Sequence, residues 1–243
     1  MRQMRNTFAG IHPLISNILN SIYPSECPVC GKAADIFIHS PVCSSCWSRI
    51  RKYTGPSCGI CALPFISEYA QLCGGCMKKS PPYARVIAYG LYEGVLKEAI
   101  SRFKFYGLRR LSRPLGALLP NLPIPEADAI VPVPLTAKGL RQRGFNQSLL
   151  IARIVSKKTG IPLNIDTLLK IKETLPQVGL SASERHKNLA GAFTAKGAIK
   201  GSRILLVDDV VTTGATAAAC SKALLKAGAQ EINVLTIARA GML

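Results

Sequence analysis

Short apolar runs alternate with longer amphipathic stretches over the last two thirds of the chain. Runs of four to seven residues rich in Val, Ile and Leu predict buried strands over residues 85–90, 129–133, 204–207 and 231–237. Stretches with helical spacing of apolar residues predict helices over residues 95–105, 148–159 and 216–227. Strands that alternate with helices are typical of an α/β fold with a parallel sheet flanked by helices.

The N-terminal third has a different pattern. Between residues 27 and 76 there is no apolar periodicity that could support a core, and four Cys-x-x-Cys pairs follow one another instead. The pairs are Cys27/Cys30, Cys43/Cys46, Cys58/Cys61 and Cys73/Cys76. Two such pairs complete a tetrahedral site of four thiolates, which leaves no open position, so we expect two structural zinc ions that supply the folding energy of this segment. Sequential and interleaved pairings of the four motifs both remain open.

Other interpretations of the cysteines are weaker. One Cys-x-x-Cys pair would suffice for redox chemistry, and a disulfide framework suits secreted proteins. The ninth cysteine, Cys220, lies in the Ala-rich predicted helix and is expected to be a small buried residue. His39 lies near the pairs, but eight cysteines already fill two sites, so a surface position is expected.

The change of composition near residue 81 predicts two domains, an N-terminal helix with a double zinc ribbon over 1–80 and an α/β domain over 81–243. Basic residues precede an apolar stretch at residues 8–15, but Pro13, Asn17 and Asn20 interrupt it, and a short amphipathic helix over about 14–22 fits better than a signal peptide. No apolar run reaches the roughly 18–20 residues of a membrane span. We therefore expect a cytoplasmic protein that is not integral to the membrane.

The chain is strongly basic, with 31 Lys and Arg against 13 Asp and Glu and a net charge of +18. Basic residues concentrate over residues 97–113 and 138–143. Such a field favours nucleic acid or anionic metabolites as ligands. A basic surface that is merely solvated is the alternative for each cluster.

The segment with the clearest chemistry follows the predicted strand 204–207. The strand leads into Asp208 and Asp209, a short turn with Thr212, Thr213 and Gly214, and a helix. The N–H groups and positive dipole end of that helix, with the threonine hydroxyls, suit a phosphate. The paired carboxylates suit sugar hydroxyls or Mg²⁺, and we expect them at the lip of the sheet, facing a concavity. A plain strand-to-helix turn would explain the threonine caps but not the two acids.

This segment resembles the 5-phosphoribosyl pyrophosphate (PRPP) motif of type I phosphoribosyltransferases. The resemblance implies that Asp208 and Asp209 hold the ribose 2- and 3-hydroxyls of PRPP, which binds with Mg²⁺. It also implies a cradle for the 5-phosphate formed by Val211, Thr212, Thr213, Gly214, Ala215 and Thr216.

Two further segments take roles by the same resemblance. Residues 130–148 correspond to a pyrophosphate loop, but Pro132 and Pro134 remove two N–H donors, so arginines such as Arg143 are expected to carry more of that work. Residues 173–193 are polar and form either a linker or a flap over the reaction centre, and the resemblance favours the flap. Arg185 in this segment is expected to join Arg143 in stabilising the leaving pyrophosphate. His186 is the single candidate for a general base, and a plain surface position is the favoured alternative for it.

The combination of motifs, from about residue 23 to 239, resembles the ComF/GntX family of phosphoribosyltransferase-like proteins. The elements that carry the resemblance are the tandem cysteine pairs, Lys104-Phe105, Val131-Pro132-Val133-Pro134, Arg143-Gly144-Phe145-Asn146-Gln147 and Asp208-Asp209 with Thr212-Thr213-Gly214. The resemblance implies a bacterial cytoplasmic protein linked to DNA uptake in natural competence, with an acceptor that is generally unassigned.

Two other functions remain open at this point. The chain could be a PRPP-responsive factor that binds single-stranded DNA without turnover, in contact with the DNA-uptake machinery, with stacking faces from Tyr53, Phe103, Phe105 and Tyr106. It could also be a structural adaptor whose pocket has decayed, although the intact acidic turn argues against this.

Overall fold

The computed structural model describes residues 26–34, 41–174, 184, 187–197 and 199–241. The helices of these residues are α1 (Ser44–Trp47), α2 (Gly74–Lys78), α3 (Gly94–Phe105), α4 (Ser112–Ala117), α5 (Ala137–Arg143), α6 (Gln147–Thr159) and α7 (Ala215–Lys226), with a 3₁₀ turn at Arg109–Leu111. The strands are β1 (Arg85–Leu91), β2 (Ala129–Pro132), β3 (Leu168–Lys170), β4 (Phe193–Ala195), β5 (Arg203–Val211) and β6 (Glu231–Arg239).

Four strands form a parallel sheet in the order β1-β6-β5-β2, and these are the four strands that the apolar runs predict. The predicted α/β class is therefore confirmed. Strand β5 is longer than predicted, because its ladder with β6 continues past Val207 and pairs Asp208 with Thr236 and Val211 with Arg239. The two acids consequently lie within the strand rather than in the turn that follows it.

The sheet is buried on both faces. Alternate residues of β5 point to opposite sides, so Leu205 and Val207 pack in one core with Ile100 of α3 and Ile151 of α6. Ile204 and Leu206 pack in the other core with Cys220 and Leu224 of α7. Cys220 is fully buried, as predicted. This double burial explains why β5 is a continuous apolar run without polar alternation.

Several elements differ from the predictions. Residues 137–143 form helix α5 where a loop is expected, because the Thr136 hydroxyl accepts a hydrogen bond from the Gly139 N–H at 3.0 Å and Gly144 ends the helix at φ 73°. Strands β3 and β4 pair antiparallel over three residues each, which is too short for a sequence signal, and they flank the polar segment expected to be a flap. Most of that segment lies outside the described residues, as do the predicted helix at 14–22, His39, Arg185 and His186.

The cysteine-rich segment packs directly on the sheet domain. Cys27, Cys43 and Cys46 share a core with Ile87 and Leu96. Further along, the Val86 N–H of β1 donates to the Ile60 carbonyl at 2.7 Å. The boundary near residue 80 stays a prediction, since both parts share buried contacts. Among the described residues, no helix is both long enough and apolar enough to cross a membrane.

Candidate functional site

Asp208 and Asp209 lie near the carboxyl end of β5, where open parallel sheets bind ligands. Their exposed fractions are only 8% and 4%. The Ser148 hydroxyl of α6 donates to Asp208 Oδ1 at 3.0 Å, and the Lys104 ammonium of α3 donates to Asp209 Oδ1 at 2.9 Å. The expected open concavity is therefore covered by the acids' own partners, and a sugar that reaches the carboxylates must displace them.

The residues around Lys104 join three distant parts of the chain. Gln147 donates to the Lys104 carbonyl oxygen at 3.2 Å, and Arg143 donates to the Gln147 side-chain oxygen at 3.4 Å. The Arg143 guanidinium lies 5.7 Å from the ring of Phe105. Phe103 packs on Phe145 at 5.5 Å between ring centroids. The structure thus brings Lys104-Phe105 and the Arg143–Gln147 element together beside the acids. Gln147 is 43 residues after Lys104 in the chain, and Asp208 is 60 residues after Ser148.

The stacking faces expected for a nucleic acid divide into two groups. Phe103 is fully buried, so the prediction that it stacks on a base is wrong; it lies on the core face of α3. Phe105 and Tyr106 are 59% and 63% exposed, and the Arg102 guanidinium covers the Tyr106 ring at 4.5 Å. Tyr53 is half-buried and donates through its hydroxyl to the Pro56 carbonyl.

Burial has the largest effect on the pKa of Asp208. Desolvation, with the adjacent charge of Asp209, raises the pKa of Asp208 to about 7, against the opposing effects of Lys104 and the hydrogen bonds to Asp208. Burial by itself would lower the pKa of Lys104, but the carboxylates of Asp209 and Asp208 outweigh it and raise that pKa. At neutral pH the Lys104 ammonium is therefore charged, whereas the Asp208 carboxyl is only partly ionised.

The turn after β5 leads into α7 as the phosphate-cradle interpretation requires. Gly214 is the N-cap of α7 at φ 78°, and the Thr213 hydroxyl accepts from the Ala215 N–H at 3.4 Å. The positive φ favours glycine at this position, and a Cβ there would lie 2.8 Å from the Tyr83 hydroxyl oxygen, so the tyrosine would have to shift. Thr212 and Thr216 each take part in an interaction within the protein.

Sequence patterns do not indicate the role of two residues of this region. Lys104 falls in the basic cluster over residues 97–113 and in the Lys104-Phe105 motif, but neither indicates that it pairs with an acid, and Ser148 is only the start of a predicted helix. No short-range signal marks them, because each reaches the site from a different element of the fold.

The cysteines form two clusters, Cys27, Cys30, Cys43 and Cys46 in one and Cys58, Cys61, Cys73 and Cys76 in the other. This is the sequential pairing. Within each cluster all four Sγ atoms lie within 4.8 Å of one another, and the Cys30–Cys43 and Cys61–Cys73 Sγ pairs are 3.7 and 3.6 Å apart. Four sulfurs around zinc at about 2.3 Å are about 3.8 Å apart, so both clusters fit the metal.

Two further observations fit zinc thiolates. Backbone N–H groups of Cys43 and Cys73 donate to the Sγ atoms of Cys27 and Cys58 at 3.4 Å. Such donors outweigh burial and lower the pKa of the Cys27 thiol to about 7 and of the Cys58 thiol to about 6, whereas burial raises the pKa of the thiols of Cys46, Cys61 and Cys76. An arginine also approaches one sulfur of each cluster, Arg49 in the first and Arg239 in the second. The clusters fit two structural zinc ions.

Two clefts lie between the zinc ribbons and β1. The larger, about 680 Å³, is lined by Arg49, Arg51 and Lys52 on one side and by Glu93 and Glu98 on the other. The smaller, about 370 Å³, runs along β1. Neither lining includes Asp208 or Asp209, so these clefts are distinct from the acid site.

Comparison with known families defines the class of protein first. Residues 18–77 match the double zinc ribbon domain, and residues 146–242 match the phosphoribosyl transferase domain. The chain thus combines a zinc ribbon module with a phosphoribosyltransferase-type domain.

Whole-chain comparison narrows this class. The chain is 38% identical over 213 residues to competence protein F of Haemophilus influenzae. This alignment covers 82% of this chain and 90% of that protein. It is 32% identical to DNA utilization protein YhgH of Escherichia coli K12, over 83% of this chain and 91% of that protein. It is 28% identical to competence protein ComFC of Bacillus subtilis, over 95% and 97%. The chain belongs to the ComF/GntX family.

The zinc assignment predicts a simple stoichiometry. Wild-type protein should contain two zinc ions per chain, and Cys58→Ser should contain one, because three thiolates and a hydroxyl hold zinc far more weakly. Elemental analysis of the purified proteins measures this. Cys220→Ala is the matched control, since Cys220 lies outside both clusters and should keep two ions. Two ions in Cys58→Ser would contradict the assignment.

The raised pKa of Asp208 predicts a pH-dependent stability. A carboxyl whose pKa is about 7 in the folded chain and 3.8 when free loses stability as pH rises between those values. Asp208→Asn does not titrate, so its free energy of unfolding should exceed that of wild type by roughly 4 kcal/mol above pH 7, with little difference near pH 4.

Asp209→Asn should have the opposite effect. It leaves the Lys104 ammonium without its carboxylate, and we expect a loss of roughly 2–4 kcal/mol at neutral pH. Urea unfolding of both variants at pH 4 to 8 measures the difference. A difference in the free energy of unfolding between Asp208→Asn and wild type that does not change with pH would show that Asp208 does not titrate near pH 7.

Proposed function

We propose that this protein binds PRPP with Mg²⁺ at the Asp208–Asp209 site and transfers the phosphoribosyl group to an acceptor, as a cytoplasmic component linked to DNA uptake. The observation that carries the proposal is the convergence of Lys104, the Arg143–Gln147 element and the acidic turn of β5 at one edge of the sheet. The buried carboxyl of Asp208 costs stability at neutral pH without a ligand, and such a cost persists where function requires it.

Each part of the site matches one part of PRPP. The two carboxylates accept hydrogen bonds from the ribose hydroxyls, which positions the ring without acid–base chemistry. The N–H groups at the start of α7 and the hydroxyls around Gly214 receive the 5-phosphate. The prolines of β2 and of the following turn leave fewer N–H donors for pyrophosphate, so cationic side chains take that part.

Lys104 contacts Asp209 directly, and Arg143 is joined to Lys104 through the Gln147 side chain. In transfer, the bond between C1 of the ribose and the pyrophosphate oxygen breaks, the electron pair leaves with pyrophosphate, and the acceptor nucleophile forms the new bond to C1. Mg²⁺ bound with PRPP would neutralise charge on that leaving group. When the ribose hydroxyls take over Asp209, the Lys104 ammonium is released toward the same negative charge. Arg185 stays a prediction for the flap.

The names of the relatives support the link to DNA. DNA utilization protein YhgH carries it in its name, competence protein F and ComFC are named for competence, and the chain spans most of each. On this basis we extend DNA uptake or DNA utilization to the present chain as its cellular role.

A second candidate is binding of single-stranded DNA without turnover. It is favoured by the exposed ridge at the end of α3, where Phe105 and Tyr106 stand beside Arg102 and Arg143. Aromatic faces flanked by arginines bind successive bases with little sequence preference. The net charge of +18 adds attraction to the backbone phosphates.

Titration calorimetry with PRPP and Mg²⁺ tests the first candidate, together with a pyrophosphate assay across a panel of bases and amines. We expect saturable binding that the double variant Asp208→Asn/Asp209→Asn weakens at least 100-fold, because the ribose loses both acceptors. Asp128→Asn is the control: Asp128 pairs with Arg203 at the opposite end of β5 and is exposed. Unchanged binding by the double variant would refute the site.

Fluorescence anisotropy with an oligo-dT strand tests the second. The logarithm of affinity should fall by about 0.7 per logarithm of salt for each phosphate contact. Tyr106→Ala should weaken binding by roughly 1–3 kcal/mol, whereas Tyr69→Ala, at a tyrosine that is 97% exposed in the second zinc ribbon, should not. Binding that ignores salt, or equal effects of both variants, would reject the ridge as a DNA surface.

A further inference from the structure

Arg239, the last residue of β6, is a buried arginine with an exposed fraction of 5%. Its Nε donates to the Cys61 carbonyl at 2.7 Å, and its Nη2 lies 3.9 Å from Cys61 Sγ. Its Nη1 donates to the carbonyls of Val211 at 3.3 Å, of Ala240 at 2.6 Å, and of Thr212. One side chain thus connects a cysteine of the second cluster to the first residues of the phosphate-cradle turn.

The charge of Arg239 has a physical reason to be buried here. Four thiolates around one zinc ion carry a net charge of −2. A guanidinium with its donors on carbonyl oxygens and one ligand sulfur is satisfied in hydrogen bonding and compensates that charge. Arg49 holds the corresponding place on the first cluster, 3.5 Å from Cys46 Sγ, but it is exposed.

A second side chain supports the same turn. The Tyr83 hydroxyl oxygen lies close to Gly214, 2.8 Å from the position that a Cβ on this glycine would take. Tyr83 is buried in the core that holds Val211 and Ala215, and Ile60 and Ala62 of the second zinc ribbon pack against the same core. The turn that begins α7 is therefore backed at its start by Arg239 and at its glycine by Tyr83.

We propose that the second zinc ribbon is the structural support of the phosphate-cradle turn and that Arg239 is the positioning residue that joins them. Cys61 is held in place as a member of the second zinc cluster, and its carbonyl holds the Arg239 guanidinium. The guanidinium in turn holds the carbonyls of Val211 and Thr212. With those carbonyls held on the protein side, the N–H groups that follow are oriented toward the ligand side. The identity of that ligand as PRPP rests on the function proposed above.

This connection has a reciprocal consequence. If the second cluster holds the turn, then a ligand in the turn must stabilise the second cluster by the same free energy. The first cluster packs instead against α3 and β1 and should not respond. We therefore expect a ligand bound at the turn to slow the loss of zinc from the second cluster but not from the first.

Hydrogen exchange measured by mass spectrometry tests the support without any ligand. Over residues 212–218, Arg239→Gln should exchange at least 10-fold faster than wild type, and Arg239→Lys should fall between, because lysine keeps the charge but reaches fewer carbonyls. Arg49→Gln is the matched control on the first cluster and should exchange at the wild-type rate. An Arg239→Gln exchange rate equal to that of wild type, with two zinc ions retained, would overturn the proposal.

Zinc release to a chromogenic chelator tests the reciprocal effect in the unaltered protein. PRPP with Mg²⁺ should slow the release of one of the two ions several-fold, and Arg239→Lys should reduce that protection. Equal slowing of both ions would overturn the proposal. If wild type binds no PRPP while Arg239→Gln still loosens residues 212–218, the support stands and the proposed function fails.

Discussion

Asp208 and Asp209 are buried side by side near the end of a central strand, and the surrounding arrangement follows from keeping that pair inside the fold. Burial opposes their ionisation, so each carboxylate needs a partner: Lys104 on α3 for Asp209 and Ser148 on α6 for Asp208. Both helices must therefore pack on the same face of the sheet with these residues near the ends of the strands. The apolar cores on either side of β5 supply the stability that tolerates the pair.

The zinc ribbons extend this arrangement and are not simply an appended module. Three cysteines of the first cluster lie in the same core as α3, which holds Lys104. The second cluster meets the turn after β5 through Arg239 and Tyr83. Metal binding also supplies folding energy to such segments. Zinc ligands contact elements on both sides of the acid site, α3 through a shared core and the turn after β5 through the hydrogen-bonded Arg239.

Local patterns were sufficient for the four sheet strands, the helices after them and the eight zinc ligands, because apolar period and Cys-x-x-Cys spacing are short-range signals. They could not show that Lys104 pairs with Asp209, which is 105 residues away. The direction of a side chain on a helix also depends on what packs there: Phe103 enters the core whereas Phe105 and Tyr106 remain exposed. Helix α5 depends on a Thr136 cap within a Pro-rich stretch, and Arg239 on the way the cysteine segment folds back over the sheet.

The central claim is that the acid pair receives a phosphorylated ribose and that Lys104 gives up Asp209 when it does. A crystal structure of the protein with PRPP and Mg²⁺ tests this most directly. We expect ribose hydroxyls on Asp208 and Asp209, the 5-phosphate at the start of α7, and a Lys104 ammonium no longer bonded to Asp209. Ligand bound elsewhere, with the 2.9 Å Lys104–Asp209 contact intact, would contradict it.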